Sequence, residues 1–194
     1  DGAEFFGDQR LVGRALDNRM GGFILARVMA KLSKKRPEAT VIALNAVQEE
    51  IGGNGAMMAT HRIHPDVAIV LDVTHGTETP GIDPAVHGAV KLGGGPSVTH
   101  GTCNHPLLVQ RLMKVANAKK IPLQHESSSR YSGTDTDVIF TVRGGIPSAL
   151  VSLPLRYMHS IVEMCDLKDV ERVIDLLVAF VSSISAKDSF THKL

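Results

Sequence analysis

Apolar residues recur along this chain with two different periods. From Asn18, the residues Met20, Ile24, Val28 and Leu32 repeat every four positions, and Phe23, Leu25 and Met29 widen the stripe into an amphipathic helix that Lys34-Lys35-Arg36-Pro37 ends. Elsewhere apolar residues dominate runs of strand length. Residues 40–47, 67–73 and 148–153 read as buried strands, 121–125 as a further strand, and 86–92 as a candidate for another. Helical patterns fill the gaps: a short helix over 54–61 after glycines, then 107–119, 135–142, and a closing helix from about 167 to 183. Strands that are apolar at most positions are buried on both faces, and their alternation with helices predicts βαβ units. The expectation is an α/β fold with a mainly parallel central sheet and helices on both faces. No internal repeat interrupts the pattern, and Gly93-Gly94-Gly95-Pro96 reads as a loop because the composition does not change across it, so residues 1–194 read as a single domain.

The candidate chemistry sits at the ends of these runs, where an open α/β sheet presents its functional groups. Gln48-Glu49-Glu50-Ile51-Gly52-Gly53-Asn54-Gly55 places two adjacent carboxylates after one apolar run and before a glycine-rich turn. Asp17 at a helix start, Asp72 at the end of a strand and His159 after Leu153-Pro154-Leu155-Arg156-Tyr157-Met158 add two carboxylates and an imidazole. Hard oxygen donors with a nitrogen donor suit divalent metals. Taken singly, Asp17 is also a good helix cap, Asp72 a turn cap and His159 a rim histidine. The Glu49-Glu50 pair resists such readings, since neighbouring like charges repel and neither a cap nor a solvated face explains them. Successive strand side chains point to opposite faces, so both glutamates address one site only if the strand breaks there; Gly52 and Gly53 make that break plausible. Gly93 to Gly95 lack a phosphate-loop pattern, and no nucleophile elbow surrounds Ser127-Ser128-Ser129.

Charge and composition exclude some functions. Lys+Arg (21) nearly balance Asp+Glu (20), and tryptophan is absent, so neither electrostatics nor stacking favours a nucleic-acid partner. No signal peptide or membrane-length apolar segment is visible, and Cys103 and Cys165 belong to no CxxC pair, which fits free thiols in a reducing, cytoplasmic setting. The opening Asp1-Gly2-Ala3-Glu4-Phe5-Phe6, with no initiator methionine, reads as the start of a piece of something longer.

Gly13-Arg14-Ala15-Leu16-Asp17-Asn18-Arg19, Val47-Gln48-Glu49-Glu50-Ile51-Gly52-Gly53-Asn54-Gly55-Ala56, Gly94-Gly95-Pro96, Ile121-Pro122-Leu123-Gln124, Gly133-Thr134-Asp135 and Pro154-Leu155-Arg156-Tyr157-Met158-His159 together resemble the M42 family of metallo-aminopeptidases, in the family's order and over nearly the whole chain. The resemblance implies a zinc-peptidase-like αβα sandwich, of which this chain is the C-terminal part of the catalytic domain. It implies two divalent ions, zinc, cobalt or manganese: Asp17 bridges them, Glu50 and His159 complete one site, and Asp72 belongs to the other. Glu49 is the implied general base for a metal-activated water that hydrolyses N-terminal residues from peptides, and the peptide bond between Asp17 and Asn18 is implied to be cis. Gly133, Thr134 and Asp135 are expected to border the cleft, and Arg156 or Arg130 to offer a positive charge to substrate, unless both pair with local acids. The family's N-terminal His-x-Asp segment, its first strands and its inserted β dimerisation domain have no counterpart in this sequence. One metal site is therefore expected to be weakened, an edge or apolar face to be left uncovered, and homo-oligomers to belong to the full-length parent. Two alternatives stand beside this reading. One is a catalytically silent metal-binding fragment. The other is a glycoside hydrolase, since some relatives are labelled endoglucanases; that chemistry needs two carboxylates across a glycosidic bond with one protonated, and the five residues suit metals better.

Overall fold

The computed structural model describes residues 2–190. Strand β6 (Ser148–Arg156) is its spine, buried from Ser148 to Leu155 as a strand covered on both faces is. Strand β3 (Ala68–His75) lies parallel to it over its whole length, from Ala68 opposite Ser148 to His75 opposite Leu155. Side chains alternate across these two strands with the period of two that a pleated strand dictates. Ala149, Val151, Leu153 and Leu155, with Ile69, Leu71 and Val73, face the larger core. Helices α1 (Leu16–Lys34), α4 (Pro106–Lys119) and α6 (Leu167–Ser182) close that core with Ile24, Leu112 and Ile174. Val70 and Leu150 face the other way, into a smaller cluster with Ala56 of α2 (Asn54–Ile63) and Ile139 of α5 (Thr136–Ile139). Helices thus cover both faces, as the sequence predicts.

The sheet is mixed in direction. Among the described residues, besides β3 with β6 only β4 (Ser97–Gly101) and β5 (Gln124–Ser128) pair in parallel, and helix α4 forms their crossover. The short strands β1 (Glu4–Phe6), β2 (Arg10–Gly13) and β7 (Glu163–Asp166) join β6 antiparallel, in the order β1-β2-β7-β6-β4-β5, and β4 also meets β6 antiparallel. The turns at residues 7–9 and 157–162 are too short for a parallel crossover, so they enforce reversal. Strands of three or four residues leave too little pattern to read, which is why β1, β2 and β7 carry no signal in the sequence.

Two expected strands do not form. Residues 86–92 instead continue from α3 (Pro84–His87), whose N-terminus Asp83 caps by accepting from the Ala85 amide at 2.8 Å; Val90 is fully buried and exchanges hydrogen bonds with Thr77. The run at residues 40–47 joins no ladder among the described residues, and Ile42, Leu44 and Val47 are 58%, 38% and 67% exposed. A strand needs a partner for its backbone groups. Among the described residues nothing pairs with this run, and β3 is bonded to a neighbour only on its β6 side.

Candidate metal centre

Three loops converge at one corner of the sheet. Strand β2 ends at Gly13, and the chain enters α1 through Ala15 in the left-handed region, with non-helical backbone at Asp17 and Asn18 and a cis peptide bond between them. The second loop follows residue 47. Gln48 has φ of 62°, the amides of Gly52 and Gly53 donate to Glu49 and Gln48 carbonyls at 3.1 and 2.9 Å, and the Gly55 amide donates to the Val47 carbonyl at 3.0 Å. Glycine is required at position 55, where a Cβ would lie 2.4 Å from the Val47 carbonyl oxygen. Glu49 and Glu50 therefore occupy a turn, freed from the alternation of a strand, and both reach the same corner. The third loop, between β6 and β7, carries His159 with φ of 62°.

Asp17, Glu50 and His159 each bring one donor atom into a group spanning no more than 4.8 Å. His159 Nε2 lies 3.0 Å from Asp17 Oδ2 and 3.9 Å from Glu50 Oε2. Two carboxylates and an imidazole so crowded fit a divalent cation well. Burial pushes the Asp17 carboxyl above its usual range, Glu50 adds to the rise, and His159 opposes it.

Asp72 stands beside this group rather than in it. Its Oδ1 accepts from Asn18 Nδ2 and from the Val73 amide, each at 2.9 Å, while burial pushes it up to about 7 against the pull of that amide. Asn18 also donates to the Leu71 carbonyl and accepts from the Gly21 amide, so it locks β3 to the start of α1. Glu49 is likewise pushed up to about 7, first by burial, then by Asp135, Glu50 and Asp17. Asp135, raised by burial, keeps a buried Oδ1 that finds no hydrogen-bond partner among the described residues.

Two clefts meet at the glutamates. The larger, about 720 Å³, has an acidic end at Asp17, Glu49, Glu50, Asp72 and Asp135 and an apolar wall that includes Ile42, Leu44 and Ile63. The smaller, about 270 Å³, is lined by Glu49, Glu50, Gly133, Thr134 and Asp137. The structure thus gathers Gly133, Thr134 and Asp135 around the candidate centre. Arg156 lines neither cleft; its guanidinium lies over the Tyr157 ring at 5.1 Å and donates to the Tyr157 hydroxyl, while Arg130 lies over Tyr131 at the same distance.

Sequence reasoning passes over Asn18 and Glu163. Glu163 is only 2% exposed; its Oε1 accepts from the His159 amide at 2.9 Å and its Oε2 from the Asp17 amide at 3.1 Å. The available signal is an acid inside the apolar stretch Ile161-Val162-Glu163-Met164-Cys165, where a solvated glutamate has no place.

Fold and site together define an α/β protein whose loops bring a carboxylate–imidazole cluster suited to a divalent cation to one corner of the sheet. A sequence profile of the M42 glutamyl aminopeptidase family matches residues 2–176, and the chain belongs to that family. The lysyl aminopeptidase of Pyrococcus furiosus is 35% identical over 183 residues, covering 93% of this chain and 51% of that one. A TET aminopeptidase from a marine sediment archaeon of the Thaumarchaeota superposes with a TM-score of 0.87 at 31% identity, covering 95% of this chain and 53% of its own. The dodecamer PhTET1-12s matches with a TM-score of 0.81 at 25% identity, covering 95% and 54%. The chain spans about half the length of the curated relatives it matches.

Proposed function

We propose that the chain forms the metal-bearing part of an aminopeptidase that removes N-terminal residues from peptides. The observation that carries this reading is the convergence of Asp17, Glu50 and His159 donors within 4.8 Å beside Glu49, in a chain of the M42 family. Asp17, Glu50 and His159 would hold one divalent ion, zinc, cobalt or manganese, and Asp17 with Asp72 would hold a second. Bound there, such ions supply Lewis-acid polarisation of the scissile carbonyl and acidify a water. Glu49 lies outside the donor group, and burial and its acidic neighbours push its carboxyl up to about 7, where its ionised form can take a proton near neutral pH, which matches a general base. It takes the proton of the attacking water and returns it to the departing amine. The acids around the clefts, Asp135 and Asp137 among them, favour the free ammonium of a peptide's N-terminus over a blocked one. Gly133 and Thr134 shape that approach, and Arg156, stacked on Tyr157 outside both clefts, offers its charge to an acidic group of the substrate.

The exposed apolar residues Ile42, Leu44 and Val47 support a homo-oligomeric full-length parent, as does the dodecameric neighbour. Two buried free thiols support a reducing, cytoplasmic setting. Among the described residues no helix is long and apolar enough to cross a membrane.

A second reading, a silent metal-binding fragment, is favoured by Asp72 standing outside the group of three donors, with its Oδ1 accepting from Asn18 and the Val73 amide. The discriminating experiment strips the chain of metal, restores zinc, cobalt or manganese, and follows release from aminoacyl chromogenic substrates with free and blocked amines. The expected result is turnover that returns with metal on free-amine substrates alone. Metal uptake with no turnover on any substrate selects the silent reading, and turnover of oligosaccharides unaffected by chelation selects a glycoside hydrolase.

A further inference from the structure

Glu163 is a buried acid to which the proposed chemistry gives no task. It sits on β7, 2% exposed, and among the described residues no lysine, arginine or histidine forms an ion pair with it. Burying a carboxylate is costly unless its oxygens are hydrogen-bonded. Here each oxygen accepts one backbone amide: Oε1 takes that of His159 at 2.9 Å, and Oε2 that of Asp17 at 3.1 Å. These belong to the β6–β7 connection and the β2–α1 junction, far apart in sequence, and one carboxylate clamps both. The clamp is rigid, because β7 is bonded to β2 with Glu163 opposite Gly13, and to β6 with Met164 opposite Arg156. The outcome is the 3.0 Å approach of His159 Nε2 to Asp17 Oδ2.

We propose that Glu163 is a positioning residue of the metal centre: its carboxylate fixes the backbones of Asp17 and His159 so that their side chains converge on one divalent cation. The proposal rests on the metal reading above. Groups behind a metal's direct ligands commonly govern affinity in this way, and their loss costs about 10–100-fold. Glutamine matches the shape of glutamate but has one acceptor oxygen; its amide group would face the second backbone N–H donor to donor, releasing one of the two loops. Aspartate keeps both acceptors and the charge but falls short by one methylene.

The test is Co²⁺ binding to the 194-residue chain, to Glu163→Gln and to Glu163→Asp, read by calorimetry and by the visible spectrum of the bound ion. The expected result is about 10–100-fold weaker binding by Glu163→Gln with a changed spectrum, and a smaller loss for Glu163→Asp. Circular dichroism of the metal-free proteins selects the folded variants to be compared, and if Glu163→Gln does not fold, Glu163→Asp decides alone. A folded variant that binds Co²⁺ with the parent's affinity and spectrum overturns the proposal. Failure of the parent itself to bind is a separate result, and it overturns the metal reading beneath.

Discussion

On the proposed function, Glu49→Gln is expected to lower the turnover of the metal-loaded chain by about 10²–10⁴-fold while metal affinity and the unfolding midpoint stay near their parent values. Glutamine keeps the shape of the side chain and removes only its ability to take a proton. Because Glu49 is outside the group of three donors, the cation site survives the change. Its position in the turn, shared by both clefts, leaves it free to reach a water at the acidic corner. The measurement is kcat with a free-amine aminoacyl substrate, alongside calorimetric metal binding on the same samples. Unchanged kcat would assign the base elsewhere, with Asp135, the acid that raises Glu49 most, as the first candidate. A loss of metal binding that accompanies the loss of kcat would make Glu49 a ligand.

The second large effect links metal, pH and stability. Asp72 is held at about 7 in the folded chain against 3.8 for a free side chain, so between about pH 4 and pH 7 the folded state binds more protons than the unfolded one. Stability must then fall as pH rises through that window, because the slope takes the sign of protons bound unfolded minus folded. Asp72 alone accounts for a loss on the order of 4 kcal/mol when the whole shift acts. Asp17, raised for the same reason, adds to it in the same direction. Asp188, held down at about 2 by Arg111, works oppositely and only below this window. A divalent cation removes the strain of crowded carboxylates, so adding zinc or cobalt is expected to restore stability at neutral pH. At a hundredfold excess over its Kd, a bound ion contributes about 2.7 kcal/mol. The gain shrinks toward pH 4–5, where protons compete for the same oxygens. Denaturant unfolding with chelator and with cobalt, across pH 4.5 to 8, checks both signs. A flat profile in chelator, or an equal metal gain at both ends, contradicts the picture.

How much of this was legible in the sequence depended on run length and on distance along the chain. The α1 stripe, β3, β6 and α6 were readable because their patterns extend over enough residues to define a period and a buried face. The run at residues 40–47 looked the same by that measure, yet a strand is made by its partner's backbone, which local apolarity does not encode. Strands β1, β2 and β7 failed for the opposite reason, being too short to show a period. At the site, the adjacent glutamates and the glycines after them announced a strand break, and the turn is there. That Asp17, Glu50 and His159 would meet came from the family resemblance, because contacts over such separations leave no local mark. Glu163 shows the limit most clearly: its task lies in two backbone amides, and backbone amides are the same in every sequence.

The central claim is that Asp17, Glu50 and His159 hold a divalent cation, and anomalous X-ray scattering from crystals of this chain grown with zinc or cobalt tests it most directly. The predicted result is a peak about 2.0–2.2 Å from a carboxylate oxygen of Asp17, one of Glu50 and His159 Nε2. A weaker second peak between Asp17 and Asp72 would locate the other ion. A map with no peak within bonding distance of those three donors, from crystals grown in excess zinc or cobalt, would contradict the account.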